Sequence, residues 1–274
     1  MNFFKRLTYR TEVITVARWL GLRPILRKLY FWWARPQSGI LEVGLAGVKA
    51  RFYVQTPEEL RILESAGGAG GEGQVVAQVL EFLKPGDVVF DIGANVGLYT
   101  VLLSKRVGDS GRVFAFEPEP RTCAHLQDNL TLNEARNVKW YRKALGERTG
   151  QASLFTGSVI GGGSLVFPQG GGQAEQVVEI AQGDELVATE KMPTPRAVKI
   201  DVEGYERSVI QGLRHTLSEP ACEMICCEVH PSMLPPGVTP GAVLSLVDSL
   251  GFKQIQQFPR WDKTFHIVAR KSAA

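Results

Sequence analysis

From about residue 74 onward, strand-like and helix-like apolar spacing alternate along the chain. Short β-rich runs such as VVFDIG, which begins at Val88, are followed by segments with helical spacing, and this order repeats several times. Repeated strand–helix units predict a mainly parallel sheet with helices on both faces. The last two runs, FKQIQQF and TFHIVAR, have no helix between them, which predicts one antiparallel strand at the end.

The first 71 residues follow a different pattern. Residues 39–55 contain two alternating runs around a glycine turn and predict a β-hairpin. A short helix is predicted over residues 57–65, before the breaker GGAGGEG. We therefore divide the chain into residues 1–71, a basic and aromatic helical arm with a hairpin, and residues 72–274, the main domain.

Composition places the chain among globular proteins of the cytoplasm. Its 274 residues are 44% hydrophobic and 22% charged. It has no apolar run of the roughly 18 residues needed to span a bilayer, and no signal peptide is visible. The four cysteines, Cys123, Cys222, Cys226 and Cys227, are too few and too clustered for a disulfide framework. The spacing of the last three is unlike a zinc site, and we interpret them as small residues of a buried strand.

Charge is unevenly distributed along the chain. Residues 1–36 carry eight basic side chains and one acid, so their net charge is +7, whereas the whole chain has +3. Basic residues interleaved with tryptophan and phenylalanine are typical of a helix that lies on an anionic membrane, here on its inner face. A helical arm packed on the body with solvated cations is slightly favoured over this. Nucleic-acid binding is the weakest alternative, because the remaining residues are net acidic.

The segment VFDIGANVGLYT carries the strongest chemical signal. A strand ends at Asp91, Gly93 and Gly97 permit a tight turn, and the helix that follows offers free N–H groups to a ligand. The next strand ends at Glu117, where a carboxylate commonly binds ribose hydroxyls. The pattern D-x-G-x-N-x-G differs from the dinucleotide fingerprint, and Asp91 would repel a pyrophosphate. Both features favour S-adenosylmethionine over NAD.

Together, DIGANVGLYT, FEPEP, KALGE and VKIDVEGYE, followed by EVH, resemble the FkbM-type methyltransferases, over roughly residues 72–270. These are class I enzymes that depend on S-adenosyl-L-methionine. The resemblance implies a doubly wound, Rossmann-like α/β sheet of seven strands with the last strand antiparallel. It also implies O-methylation of a hydroxyl on a sugar, glycan precursor or natural product. The residues implied to bind the cofactor are Asp91, Gly93, Asn95, Gly97, Glu117 and, beside the adenine, Ala144 and Leu145.

Charged residues follow the two strands after that motif. If the strands are counted from VVFDIG, KIDVEGYE ends the fourth and CEVH ends the fifth. Ligands of doubly wound sheets bind at these strand ends. We therefore expect the acceptor to be surrounded by the candidate catalytic residues Lys199, Asp201, Glu203, Glu228 and His230. His230, Asp201 or Glu228 could accept the hydroxyl proton, or the acids could orient a sugar. Lys199 could instead only neutralise Asp201, and Glu206 is expected to complement the dipole of the next helix.

The same acids leave metal dependence open. If a metal is present, Asp201, Glu203 and Glu228 would be its ligands, since Mg²⁺ prefers oxygen donors and acidifies a bound hydroxyl. The glycine-rich residues 156–172 are interpreted as either a linker or a lid over the acceptor.

The predicted protein is therefore an S-adenosylmethionine-dependent O-methyltransferase with a small-molecule or glycan acceptor. An RNA 2'-O-methyltransferase and a non-catalytic S-adenosylmethionine-binding protein are the alternatives.

Overall fold

A computed structural model describes residues 23–66, 72–156, 163–166, 175–260 and 263–272. The first 22 residues of the predicted arm and most of the glycine-rich segment 156–172 lie outside these ranges. Among the described residues, no helix has the length and apolar character that a membrane span requires.

The chain begins with helix α1 (Arg23–Ala34), the strands β1 (Ile40–Leu45) and β2 (Val48–Tyr53), and helix α2 (Pro57–Ala66). The two strands pair antiparallel, which confirms the predicted hairpin. Phe52 on β2 and Leu63 on α2 are fully buried in the same hydrophobic core as residues of the main domain. The hairpin is also fixed by polar contacts, because the side chain of Asn129 accepts a hydrogen bond from the Tyr53 N–H at 3.0 Å.

Strands and helices then alternate as predicted. They are α3 (Glu72–Phe82), β3 (Val88–Ile92), α4 (Leu98–Val107), β4 (Arg112–Phe116), α5 (Pro120–Leu132) and β5 (Val138–Tyr141). After an insertion, the order continues with β10 (Ala197–Ile200), α7 (Glu206–Gly212), α8 (Arg214–Ser218), β11 (Met224–Val229), α9 (Pro240–Ser249), β12 (Phe252–Pro259) and β13 (Phe265–Lys271).

Seven of these strands form one sheet in the order β12-β13-β11-β10-β3-β4-β5. Its strands are parallel from β11 to β5, and β13 runs antiparallel to both of its neighbours. The predicted doubly wound sheet with an antiparallel last strand is confirmed. β10 and β11 are buried at every position, as expected of central parallel strands. Cys226 and Cys227 are buried free thiols of β11, in agreement with their structural interpretation.

The insertion forms a second, smaller sheet that the sequence analysis missed. It comprises β6 (Ala144–Gly146), β7 (Gly150–Thr156), β8 (Gly163–Ser164) and β9 (Glu175–Gln182), in the order β6-β9-β7-β8, and is followed by α6 (Gly183–Thr189). The spacing of the run NVKWYRKAL predicts one continuous strand, and this prediction is wrong because the run forms the separate strands β5 and β6. β5 ends at Tyr141 on the edge of the main sheet, and β6 pairs with β9, to which Lys143 is tied by an ion pair of 2.8 Å with Glu179.

Candidate active site

A cleft with about 670 Å³ of empty space, partly open to solvent, lies at the carboxyl ends of β3, β4 and β10. Its position, at the carboxyl ends of neighbouring parallel strands, is where doubly wound sheets bind ligands. Its lining includes Gly93, Asn95, Glu117, Ala144 and Leu145, the residues predicted to bind the cofactor, which we call the cofactor end. It also includes Asp201, Glu203 and Tyr205, which follow β10 and which we call the acceptor end.

The turn after β3 brings the backbone of two strands together at the cofactor end. Gly93 has φ +76°, and a Cβ atom there would overlap the backbone carbonyl of Asp201. Only glycine therefore permits this approach of β3 to β10. Gly97, with φ +91°, precedes the first residue of α4, and a Cβ atom there would lie 2.6 Å from a methyl group of Leu126. Gly97 is thus favoured by its backbone conformation, and it does not belong to the described residues that line the cleft.

Glu117 is a buried acid at the end of β4. Its carboxylate accepts hydrogen bonds from the backbone N–H groups of Asn95, at 2.9 Å, and of Glu119, at 3.0 Å. Burial raises the pKa of Glu117 to about 7, although the two hydrogen bonds oppose the increase. The side chain is consequently fixed in the wall of the cleft, with unused acceptor capacity towards a ligand.

Asp91 and Lys199 form a buried pair between β3 and β10. The Nζ of Lys199 lies 3.2 Å from Oδ1 of Asp91 and donates to the carbonyl of Gly93 at 2.6 Å. The hydroxyl of Thr100 donates to the other oxygen of Asp91 at 2.5 Å. Burial alone would lower the pKa of Lys199, but Asp91 and Asp201 raise it above its usual value. Neither member of the pair is among the described residues that line the cleft.

Asp201 and Glu203 follow β10 and border the acceptor end. Glu203 has φ +51°, a conformation that costs a non-glycine residue energy. The hydroxyl of Ser164 donates to its carbonyl at 2.6 Å, so β8 helps to hold it. Burial raises the pKa of Glu203 to about 7, against the opposing effect of His230. Burial, together with Glu228, also raises the pKa of Asp201.

His230, just after β11, is buried beside these acids. Its Nε2 lies 3.5 Å from Glu203, 3.8 Å from Glu228 and 3.9 Å from Asp201. Its Nδ1 lies 2.7 Å from an oxygen of Glu206. Burial alone would lower its pKa, but the hydrogen bond to Glu206 and the nearby acids raise the pKa of His230 to about 10. The imidazole is therefore positively charged at neutral pH.

Glu206 is the residue of this cluster that sequence reasoning missed. It is the first residue of α7, as expected, but it is fully buried and contacts His230 instead of solvent. It also accepts a hydrogen bond from the N–H of Gly204 at 2.9 Å. The available signal was the adjacency of β10 and β11, because parallel neighbours bring the segments after their ends together.

Glu228 does not belong to the described residues that line the cleft, and its carboxylate is bound by residues of β13 and of the loop before it. Its carboxylate accepts hydrogen bonds from Arg260 at 2.9 Å and Thr264 at 3.3 Å, and it lies 3.3 Å from Nε2 of His266. Burial would raise its pKa, but the hydrogen bond to His266 and the charge of Arg260 lower the pKa of Glu228 to about 2. These partners were also missed, since they come from the loop and strand that end the sheet.

Within the part of the chain that the structure describes, one set of side chains could hold a metal ion. Asp201, Glu203 and His230 each offer a ligand atom, and the three atoms lie within 4.8 Å of one another. The predicted set had Glu228 in the place of His230. Without a metal ion, the charged imidazole of His230 balances part of the negative charge of Asp201 and Glu203.

The strand order and the cleft at its topological switch point define a class I S-adenosylmethionine-dependent methyltransferase. The family model of the methyltransferase FkbM domain matches residues 91–254. The chain belongs to the FkbM methyltransferase family, which confirms the resemblance of its motifs.

Two relatives cover most of the chain. The hexuronic acid methyltransferase AglP of Haloferax volcanii is 32% identical over 199 residues, which span 71% of this chain and 76% of the relative. The 31-O-demethyl-FK506 methyltransferase FkbM of Streptomyces tacrolimicus is 26% identical over 224 residues, 70% of this chain and 83% of the relative. Among solved structures, a putative rRNA methylase from Clostridium thermocellum aligns with a TM-score of 0.47 at 16% identity, over 76% of this chain and 99% of its own.

Proposed function

We propose that this methyltransferase acts on a hydroxyl oxygen of a sugar, glycan precursor or natural product. The observation that carries the proposal is the pair Asp201 and Glu203, which border the same cleft as the predicted cofactor-binding residues. The names of two relatives support it, since one concerns a hexuronic acid and the other a 31-O position.

The residues of the cofactor end fit S-adenosylmethionine. Glu117 would bind the ribose hydroxyls, and Ala144 and Leu145 would flank the adenine. Gly93 would let the ligand approach the backbone closely, and Asn95 would contact it from the same turn. When bound, S-adenosylmethionine supplies an electrophilic methyl group on a positively charged sulfur. Asp91 and Lys199 would act as positioning residues, because they fix the turn at Gly93 from behind.

Glu203 is the proposed general base. A base functions best when its pKa lies near the working pH, and the pKa of Glu203 is about 7. His230 is already protonated at that pH and cannot accept the proton. We assign it, with Glu206 behind it, to positioning Glu203 and Asp201. Asp201 would orient the acceptor through a hydroxyl contact.

A hydroxyl fits the acceptor end better than a carboxylate. A hydroxyl must lose its proton as the new bond forms, and the site provides a carboxyl group that can take it. An acceptor carboxylate needs no base, and it would be repelled by Asp201 and Glu203.

The test is methyl transfer from labelled S-adenosylmethionine to a panel of hexuronosides, the matching neutral hexosides and an RNA oligonucleotide. We expect label in a sugar, in a bond that survives mild alkali, because methyl ethers are stable there and methyl esters are hydrolysed. Alkali-labile label would contradict hydroxyl methylation, and label in the RNA alone would contradict a sugar acceptor. Glu190→Gln, at an exposed glutamate paired with Lys139, serves as the control variant.

A further inference from the structure

Helix α1 presents an apolar face to solvent. Six large hydrophobic residues are exposed among those the structure describes, and four of them are on this one helix: Ile25, Leu29, Trp32 and Trp33. Their spacing places them on one side of the helix. Trp32 is 85% exposed and Leu29 is 60% exposed, so the face is not merely the edge of a packed surface. Contiguous exposed apolar residues of this kind mark an interaction surface.

The opposite face of α1 fixes its orientation. Tyr30, Phe31 and Ala34 pack against the hydrophobic core of the protein. The hydroxyl of Tyr30 lies 3.0 Å from both carboxylate oxygens of Glu64 on α2. The helix therefore packs on the body with one face, as the sequence analysis slightly favoured, and the other face is left outward.

Cations flank the outward face. Lys28 on α1 and Arg35, the residue after its end, are both exposed, and the guanidinium of Arg35 lies 5.6 Å from the centre of the Phe31 ring. In the sequence, residues 1–36 have a net charge of +7, while the rest of the chain is net acidic. Any partner of this face is therefore expected to combine an apolar layer with negative charge.

A series of side-chain contacts leads from α1 to the cluster around His230. Glu64, the partner of Tyr30, precedes Ser65, whose hydroxyl donates to Glu72 at 3.3 Å. Glu72 lies 3.9 Å from Arg260, which in turn binds Glu228 at 2.9 Å. This short series of contacts connects the outward helix to the cluster around His230.

We propose that α1 docks this enzyme on the surface of an anionic lipid bilayer. Ile25, Leu29, Trp32 and Trp33 would lie among the headgroups and upper acyl chains, and the flanking cations would contact anionic lipid. Tryptophan beside basic residues is the composition that the membrane interface prefers. The proposal concerns where the enzyme works and does not depend on which acceptor it methylates.

The experiment is flotation of the full chain with phosphatidylcholine vesicles, with or without phosphatidylglycerol. We expect binding to the anionic vesicles only, weakened by salt because the charges are exposed. Replacement of both tryptophans, W32S/W33S, is expected to lower the partition coefficient at least about tenfold. Replacement of both cations, K28Q/R35Q, is expected to lower it about fivefold for each side chain at low salt.

Two matched controls remove similar groups elsewhere. Tyr53→Ser removes an exposed aromatic side chain of β2, and Lys49→Gln removes an exposed cation of the same hairpin. Both should float like the unchanged protein. Calorimetric titration with S-adenosylmethionine shows that each variant is folded, and it separates a failure of this proposal from a failure of the proposed function.

Three results would overturn the proposal. The unchanged protein could fail to float with anionic vesicles, or W32S/W33S could float as well as the unchanged protein. A concentration-dependent dimer that W32S/W33S dissociates, with no vesicle binding, would instead make the face an interface between two copies of the chain.

Discussion

The two ends of the cleft are built in different ways. Most of the cofactor end lies within the turns after β3 and β4, which carry the buried acid Glu117, and Ala144 and Leu145 of β6 complete it. The acceptor end is a cluster of ionisable side chains that come from the ends of β10 and β11, with Glu206 at the start of α7. The first is encoded locally and the second is assembled by tertiary structure. If this division is functional, substitutions at one end should leave the other end's task intact.

The largest effect is expected for Glu203→Gln. Removal of the proposed base should lower kcat by about 10²- to 10⁴-fold, while the Kd for S-adenosylmethionine stays unchanged. Turnover is measured with the sugar acceptor found in the panel, and Kd by calorimetric titration. Normal turnover would show that another group removes the proton, and a large rise in Kd would break the division between the ends.

The next largest effect is expected on stability, from substitution in the buried pair Asp91 and Lys199. Lys199→Met leaves Asp91 buried without its cation, and we expect the free energy of unfolding in urea to fall by about 3–5 kcal/mol. The double variant D91N/K199M removes both charges and should recover most of that loss. Equal destabilisation of the single and double variants would mean that packing, and not charge, is responsible.

Glu117→Gln tests the cofactor end. Loss of the charged acceptor should raise the Kd for S-adenosylmethionine about 10- to 100-fold, because hydrogen bonds to charged groups contribute about 1.5–3 kcal/mol. Glu119→Gln is the matched control, since Glu119 lines the same wall but uses its side chain to cap α5. If the two variants lose affinity equally, Glu117 has no special role.

The smallest effect is expected on the pH dependence of turnover, and it tests the assignment of the base to Glu203. Glu203 must be deprotonated to act, so kcat/KM should rise with pH through about 7. The charge of His230 lowers the pKa of Glu203, so His230→Gln should raise that pKa and move the rising limb about one pH unit higher. Rates measured across neutral pH check this. A limb that stays in place, or one that disappears with His230, would contradict the assignment of the base to Glu203.

Most of the fold could be predicted from the sequence. The strand–helix alternation and the missing helix between the last two strands determined the main sheet and its antiparallel strand. The smaller sheet could not be predicted, because β8 and β9 lie in and after a glycine-rich stretch with little periodicity. The break between β5 and β6 is invisible in the run NVKWYRKAL, whose spacing is compatible with one continuous strand.

The sequence predicts which residues lie in the candidate site better than it predicts their protonation states. Strand-end logic placed Asp201, Glu203 and His230 near one another, and the structure brings them together. It could not predict that Glu206 is buried against His230, nor that the hydrogen bond to His266 and the charge of Arg260 lower the pKa of Glu228. Protonation states depend on such partners, which come from distant parts of the chain.

The smaller sheet contributes to both ends of the cleft at once. Its strand β6 supplies Ala144 and Leu145 beside the proposed adenine position, and its strand β8 supplies Ser164, which holds Glu203. A substitution within β9, which pairs with both β6 and β7, would therefore alter cofactor affinity and acceptor choice together. Members of the family that change acceptor are then expected to evolve this insertion as a unit, with cofactor affinity as the constraint on how far it can change.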